Sequence, residues 1–172
     1  AHCPNTGSMM GLLDEGNEVF ISKNDNPKRK LKYTLEIVKV KKNLVGVNTH
    51  FANKIVHHGL SKNLISELKN NQSIKPEVFF NNETRFDFFI KKDEKKIFVE
   101  VKNVTLFRDE KIAEFPDAIT SRGSKHLKTL IDAIKKGYKT YLLFLIQIEG
   151  IECFKIAKDI DKEYYDNYLL AK

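Results

Sequence analysis

The chain has 172 residues, with 30 Lys and Arg against 23 Asp and Glu, a formal net charge of +7 and a pI near 9.2. That length fits one ordinary domain, or one domain with a small appended module, and the surplus of positive charge favours polyanionic partners through counterion release. The longest apolar run, Tyr141 to Ile146, is too short to span a bilayer and no charged-then-apolar leader opens the chain, so a cytoplasmic protein without membrane contact is expected. Cys3 and Cys153 have the spacing of neither a zinc site nor a disulfide framework and read as free thiols.

In chain order, Ser8 to Leu13 reads as a short helical turn, and Glu18 to Lys23, Tyr33 to Lys41 and Leu44 to Val47 as strands joined by polar turns. Between the first two strands, Asn24-Asp25-Asn26-Pro27 is a turn-forming stretch that holds Lys28, Arg29 and Lys30 on an exposed loop. These three are candidate nucleic-acid contacts. Thr49 is expected to cap a helix with Phe51, Ile55, Val56 and Leu60 on one face, ending near Gly59, and a second short helix covers Leu64 to Leu68. Strands are predicted at Glu77 to Phe80, Phe86 to Ile90, Ile97 to Val101 and Val104 to Phe107. After Pro116 the period changes: Ala118, His126, Leu127, Leu130, Ile131 and Ile134 suit a helix from about Ser124 to Lys136, stopped by Gly137. Tyr141 to Ile146 is apolar without alternation, as in a central strand covered on both faces. Ile151 to Ile156 adds an edge strand and Lys162 to Leu170 a final helix. This order predicts an α+β chain: a small β module over residues 1–48, unable to close a core alone, then a mixed sheet flanked by helices over 49–172.

One constellation carries chemistry. Arg85-Phe86-Asp87 opens one predicted strand and Glu100-Val101-Lys102 closes the next, with Lys91-Lys92-Asp93-Glu94-Lys95 as the turn between them. Folding that hairpin brings Asp87 near Glu100, and alternation puts Phe98, Glu100 and Lys102 on one face. Two carboxylates and an ammonium suit phosphodiester cleavage: acidic oxygens hold Mg²⁺, with Mn²⁺ as the alternative ion, and the lysine offsets developing negative charge. Asp87, Glu100 and Lys102 are therefore the candidate catalytic group, with Arg85 a phosphate contact. The other reading of a Glu-x-Lys triplet, a solvated charged face on an edge strand, stays open. Arg122, Lys125 and His126 gather at the start of the later helix, where free N–H groups and the dipole favour an anion. Against that, Lys125 can be solvated and His126 packed. Gln147, at the strand end, reads as ordinary strand-end hydrogen bonding.

Several ordered stretches resemble one family. His2-Cys3-Pro4-Asn5-Thr6-Gly7-Ser8-Met9, Ser22 to Lys30, Gly46-Val47-Asn48-Thr49, Arg85-Phe86-Asp87, Glu100 to Leu106, Phe115-Pro116-Asp117-Ala118 and Thr120 to Leu127 are similar to the signature stretches of the sugar fermentation stimulation (SfsA) proteins. The resemblance implies a partial OB-like β barrel module followed by a restriction-endonuclease-like domain similar to the PD-(D/E)XK nucleases, which use Mg²⁺. It implies DNA as partner, through phosphate contacts, and a link to regulation of sugar metabolism genes. Carried over by position, Asp87 and Glu100 become metal ligands, Lys102 the phosphate or water-polarising lysine, the Val101 carbonyl a further ligand and Glu67 an accessory acid. The family frame has further β segments on either side of the stretches matched here, so an incomplete barrel with weakened nucleic-acid affinity and unpaired strand edges is expected. Two readings follow, a Mg²⁺-dependent deoxyribonuclease and a non-catalytic DNA-binding regulator. A protein-interaction domain with merely compositional charge leaves the acidic pair beside Lys102 unexplained.

Overall fold

A computed structural model describes residues 1–172. In chain order its strands are β1 (Glu18–Lys23), β2 (Tyr33–Val40) and β3 (Asn43–Gly46), then α1 (Ala52–Ser61) after a 3-10 turn at Thr49–Phe51. A second 3-10 turn, Ser66–Leu68, precedes β4 (Ser73–Phe79), β5 (Arg85–Lys92), β6 (Lys95–Val104), β7 (Leu106–Asp109) and β8 (Ile112–Phe115). The chain ends with α2 (Ser121–Lys135), β9 (Lys139–Ile146), β10 (Cys153–Ile156) and α3 (Lys162–Ala171). No helix is long and apolar enough to cross a membrane.

The chain forms two compact units that alternate along the sequence. Ala1–Phe51, Asn103–Ile119 and Ile146–Asp161 make the first; Ala52–Lys102, Thr120–Leu145 and Lys162–Lys172 make the second. The first unit therefore draws in segments well beyond residue 48, because β3 needs them. Gly46 N–H donates to the Gln147 carbonyl at 2.8 Å, Glu149 N–H to Leu44 at 2.9 Å, and Asn43 Nδ2 to the Glu149 carbonyl at 2.7 Å.

The first unit holds an antiparallel sheet, β1-β2-β3, and a mixed sheet, β10-β8-β7, in which β8 runs parallel to β10 and antiparallel to β7. All of β1 is exposed, including Val19, Phe20 and Ile21, so it is an edge strand with an apolar surface. Ser8 to Leu13 is a turn rather than helical. Ser8 Oγ donates to the Asp117 carbonyl at 2.9 Å and Met9 N–H to Asp117 Oδ2 at 3.1 Å, while Met9 takes φ +51°, so tertiary bonds override helix formation. Strand β8 was hidden in the sequence because Glu114, in its middle, is buried for an electrostatic reason. Arg108 donates to both Glu114 oxygens, at 2.6 and 2.7 Å, Lys155 lies 3.4 Å away, and these bonds hold the Glu114 carboxyl below its usual range.

In the second unit the sheet order is β4-β5-β6-β9. Strand β9 thus lies at the sheet's end and none of its residues is fully buried, which corrects its expected central place; β5 and β6 are central. The apolar run is explained by half-burial, with Tyr141, Leu143 and Leu145 packing on one cluster and Leu142 on another. One cluster joins Val56 and Leu60 of α1 to Leu68, Phe88, Ile90, Ile97, Val99 and Val101. The other joins Leu130 and Ala133 of α2 to Phe86 and Phe98, with Phe80, Phe89 and Tyr138 at its margin. Helix α1 buries the stripe Ala52, Val56 and Leu60, four residues apart, whereas Phe51 and Ile55 are exposed. Thr49 does not cap it, since its hydroxyl donates to the Pro4 carbonyl at 2.9 Å; Asn48 Oδ1 accepts from His50 N–H instead. The helix expected over Leu64 to Leu68 is only the 3-10 turn Ser66–Leu68. Helix α2 starts three residues before its predicted start because Thr120 Oγ1 accepts from Gly123 N–H at 3.0 Å.

A break in alternation positions the site. On β5, Phe88 and Ile90 pack toward α1, but Phe86 joins the α2 cluster; on β4, Ile74 and Val78 divide the same way. Both strands change face between the rungs Pro76↔Phe88 and Val78↔Phe86, and the Glu77/Asp87 rung between them is missing. Glu77 there adopts φ +56°, an uncommon conformation for a non-glycine residue.

Candidate active site

Asp87 sits at this break, so its side chain is released from the regular pleat. The β5–β6 ladder runs from Lys92↔Lys95 to Phe88↔Val99 and stops one rung short of Asp87/Glu100. In place of that rung, Asp87 Oδ2 accepts from Val101 N–H at 2.7 Å, while Oδ1 accepts from Asn53 Nδ2 of α1 at 2.7 Å. Asp87 lines a cleft of about 340 Å³ with Asn53, Lys54, His57, Pro76 and Glu77.

Glu100 arrives from the other side of the sheet. Following Phe98 by two residues, it lies on the α2 face, where its side chain is 4% exposed. Oε1 accepts from Lys102 Nζ at 2.7 Å and pairs with His126 Nδ1, while Oε2 is buried with no hydrogen-bond partner. The two acids are thus not brought together by sharing one sheet face, as strand alternation alone suggests. Asp87 is held from the α1 side and Glu100 from the α2 side, and they approach where the ladder opens.

The electrostatics record that approach. Burial, and then the charge of Glu100, push the Asp87 carboxyl above its usual range, against the hydrogen bonds from Val101 and Asn53. For Glu100 burial acts upward as the largest single influence, but the His126 bond and Lys102 together outweigh it and hold the carboxyl below its ordinary value. An unpartnered buried carboxylate oxygen beside a second, repelled carboxylate is a fit for a hard divalent cation with oxygen ligands. No three His, Cys, Asp or Glu side chains cluster closely enough to hold a metal alone, so a cation here would complete its shell with backbone oxygen, water or phosphate.

The other sequence candidates divide clearly. Lys102, 12% exposed, and buried His126 belong to the Glu100 group; His126 serves there as a hydrogen-bond partner of the acid, with its ring edge-on to Phe86. Glu67 does not join it. It is exposed, bonded to Ser66 Oγ, and its carbonyl accepts from Lys92, five residues from Asp87 and roughly 17 Å along the strand. Arg85 pairs with Glu77 at 2.6 Å and Lys125 with Glu83 at 2.7 Å, while Arg122 is exposed in the first turn of α2. Lys28 and Lys30 are exposed on the β1–β2 loop of the first unit, and Arg29 donates to Thr34 Oγ1 at 3.1 Å. Gln147 donates to Asn103 Oδ1 at 2.6 Å in the first unit. Sequence reasoning missed Asn53. Its one signal was a polar side chain adjoining the buried stripe of α1, between Ala52 and Val56.

Fold and site together define a two-part α+β protein, one unit β-rich and built on the amino-terminal strands, the other a helix-flanked sheet with a buried carboxylate centre. The chain belongs to the sugar fermentation stimulation protein family, SfsA: residues 50–172 match the "Sugar fermentation stimulation protein RE domain" and residues 1–47 the "SfsA N-terminal OB domain". It is 79% identical over 172 residues to the sugar fermentation stimulation protein homolog of Pelagibacter ubique, covering 100% of this chain and 74% of that protein. The homolog of Pseudoalteromonas atlantica is 46% identical over 167 residues, 95% of this chain and 71% of its own length. A solved structure described as Pyrococcus furiosus SfsA in complex with Ca²⁺ aligns with a TM-score of 0.86 at 25% identity, over 98% of this chain and 73% of that one.

Proposed function

We propose that the chain is a DNA-binding protein whose Asp87, Glu100 and Lys102 form a Mg²⁺-dependent phosphodiester-hydrolysing site, with Mn²⁺ able to replace Mg²⁺. The observation that carries this reading is the buried, unpartnered Oε2 of Glu100 beside the Asp87 carboxyl, which burial and then the Glu100 charge push up. Asp87, Glu100 and the Val101 carbonyl are the residues that would hold the ion. When bound, a divalent ion neutralises phosphate charge and acidifies water. Asn53 and Val101 N–H orient Asp87, and His126 fixes Glu100 so that Oε2 stays free. Lys102, close-packed and already directed at Glu100, supplies positive charge where negative charge develops on a phosphate. The Ca²⁺ complex of the Pyrococcus protein supports a divalent site in this chain as well.

Plasmid DNA incubated with and without Mg²⁺ tests the reading. Nicking should require the ion and disappear in Asp87→Ala and Lys102→Ala while DNA binding persists; metal-dependent cutting unchanged in both variants overturns it. The second reading, a DNA-binding regulator of sugar metabolism genes that no longer cuts, is favoured by the lack of a third acid at the pair. It predicts no cleavage at any Mg²⁺ concentration, with salt-sensitive DNA binding intact.

A further inference from the structure

The β5–β6 turn carries more lysine than a turn requires. Asp93, at φ +52°, and Glu94 form a two-residue connection between Lys92 and Lys95, and the turn itself asks only for residues that tolerate positive φ. Yet the two rungs next to it are Lys92↔Lys95 and Lys91↔Lys96. Like charges directly opposed across strands oppose pairing. By alternation the Lys91↔Lys96 rung faces α2 with Phe89 and Phe98, and the Lys92↔Lys95 rung faces α1 with Ile90 and Ile97, so positive charge wraps the end of the sheet.

The α2–β9 connection of the same unit adds to it. Lys95 and Lys96 line an open cleft of about 730 Å³ with Lys136, Lys139, Tyr138 and Glu94. Elsewhere on the surface lysines pair with acids, as Lys39 with Glu18 and Lys111 with Glu152. None of the four cleft lysines forms a close ion pair, although Glu67 lies within electrostatic reach of Lys139 and Glu94 shares the cleft: Lys136 lies over the Phe80 ring at 4.8 Å and Lys139 over the Tyr141 ring at 5.0 Å. Aromatic faces fix these ammoniums without neutralising them. A cluster of exposed cations that outnumbers its nearby acids and is set against its own strand pairing is relieved by a polyanion.

We infer that this end of the sheet is a second contact surface for the phosphate backbone of a nucleic acid, separate from the Asp87 centre. The inference rests on the DNA-binding part of the proposed function and extends its footprint. Lys92 stands roughly 17 Å along β5 from Asp87, a span of about five base pairs of duplex.

The test is fluorescence anisotropy of a short labelled duplex, without divalent metal, across a salt series. The protein is compared with a variant combining Lys95→Glu, Lys96→Glu, Lys136→Glu and Lys139→Glu, and with the same four positions changed to Gln. Circular dichroism confirms folding of each variant. Each lysine–phosphate pairing abolished should flatten the slope of log affinity against log salt by about one, so the Glu variant should lose roughly three to four in slope and bind at least ~10-fold more weakly at low salt. The Gln variant, which abolishes the same pairings, should lose a similar slope, with an affinity between those of the parent and the Glu variant. Unchanged slope and affinity overturn the proposal, as does a wild-type chain that binds no duplex. So does a defect confined to vesicles of anionic phospholipid. Cleavage is scored separately: a chain that binds through these lysines but never cuts refutes the catalytic reading alone, and one that cuts with Mg²⁺ but keeps full affinity in the Glu variant refutes only the patch.

Discussion

Asp87→Asn should make the metal-free protein more stable and the metal-loaded protein less so. Both hydrogen bonds survive the change: the amide oxygen accepts from Val101 N–H, and the new amide nitrogen donates to Asn53 once that side chain turns its oxygen inward. What is removed is a charge disfavoured by burial and by Glu100. Because the folded carboxyl is pushed above its ordinary value of 3.8, the native state binds the extra proton, and stability falls as pH rises through the shifted range. The full cost is carried above the shifted range and vanishes below 3.8. Removing it should add on the order of 1 kcal/mol, or about 2–4 °C in Tm for a chain of this size. Divalent metal at a hundredfold excess over its Kd adds about 2.7 kcal/mol to a protein that binds it and nothing to one that does not. The two melting curves, followed by circular dichroism with EDTA and then with Mg²⁺, should exchange order. A variant that melts lower than the parent in EDTA, or curves that keep their order in Mg²⁺, would refute this account of Asp87.

Gly123→Ala, usually stabilising in a helix by about 1 kcal/mol, should here destabilise by about 1–3 kcal/mol. Its Cβ would lie 2.8 Å from Thr120 Cγ2, 2.9 Å from the capping Thr120 Oγ1 and 3.0 Å from the Tyr164 ring; urea unfolding decides the sign. In the first unit, Glu114 is held low chiefly by Arg108, so its contribution is present above the ordinary glutamate value of 4.5 and is lost as pH falls through the depressed value. Glu114→Gln should cost about 1.5–3 kcal/mol at neutral pH and flatten the acid limb of stability against pH, measured by denaturant titration at a series of pH values.

The strands and helices with strong local signals were legible in the residues. The Tyr33 to Val40 strand, the β5–β6 hairpin and the helix stopped by Gly137, at φ +85°, could be read from periodicity and turn chemistry. Glu100 and Lys102 could be placed on one face because β6 keeps strict alternation. Asp87 could not be oriented, since a missing rung on two strands leaves no mark in hydrophobic period. Tyr141 to Ile146 misled because six apolar residues look the same whether a strand is enclosed or half-covered at a sheet's end. The role of His126 was obscured by its neighbours: Arg122 and Lys125 are solvent-facing on the same helix, and only the fold turns the imidazole inward to Glu100.

The alternation of the two units along the chain has a bearing on how the protein is made. Asn43 finds its partner 106 residues downstream, at Glu149. Strands β1–β3 are synthesised before the segments that join them, and β8 and β10 pair only after translation has passed residue 153. The β1–β3 strands are thus kept waiting, with Val45, which is fully buried in the fold and bridges Ile148, uncovered meanwhile. Their vulnerable interval during synthesis is set by the length of polypeptide still to be added, while the Asp87–Glu100 hairpin can close as soon as its own short loop is out.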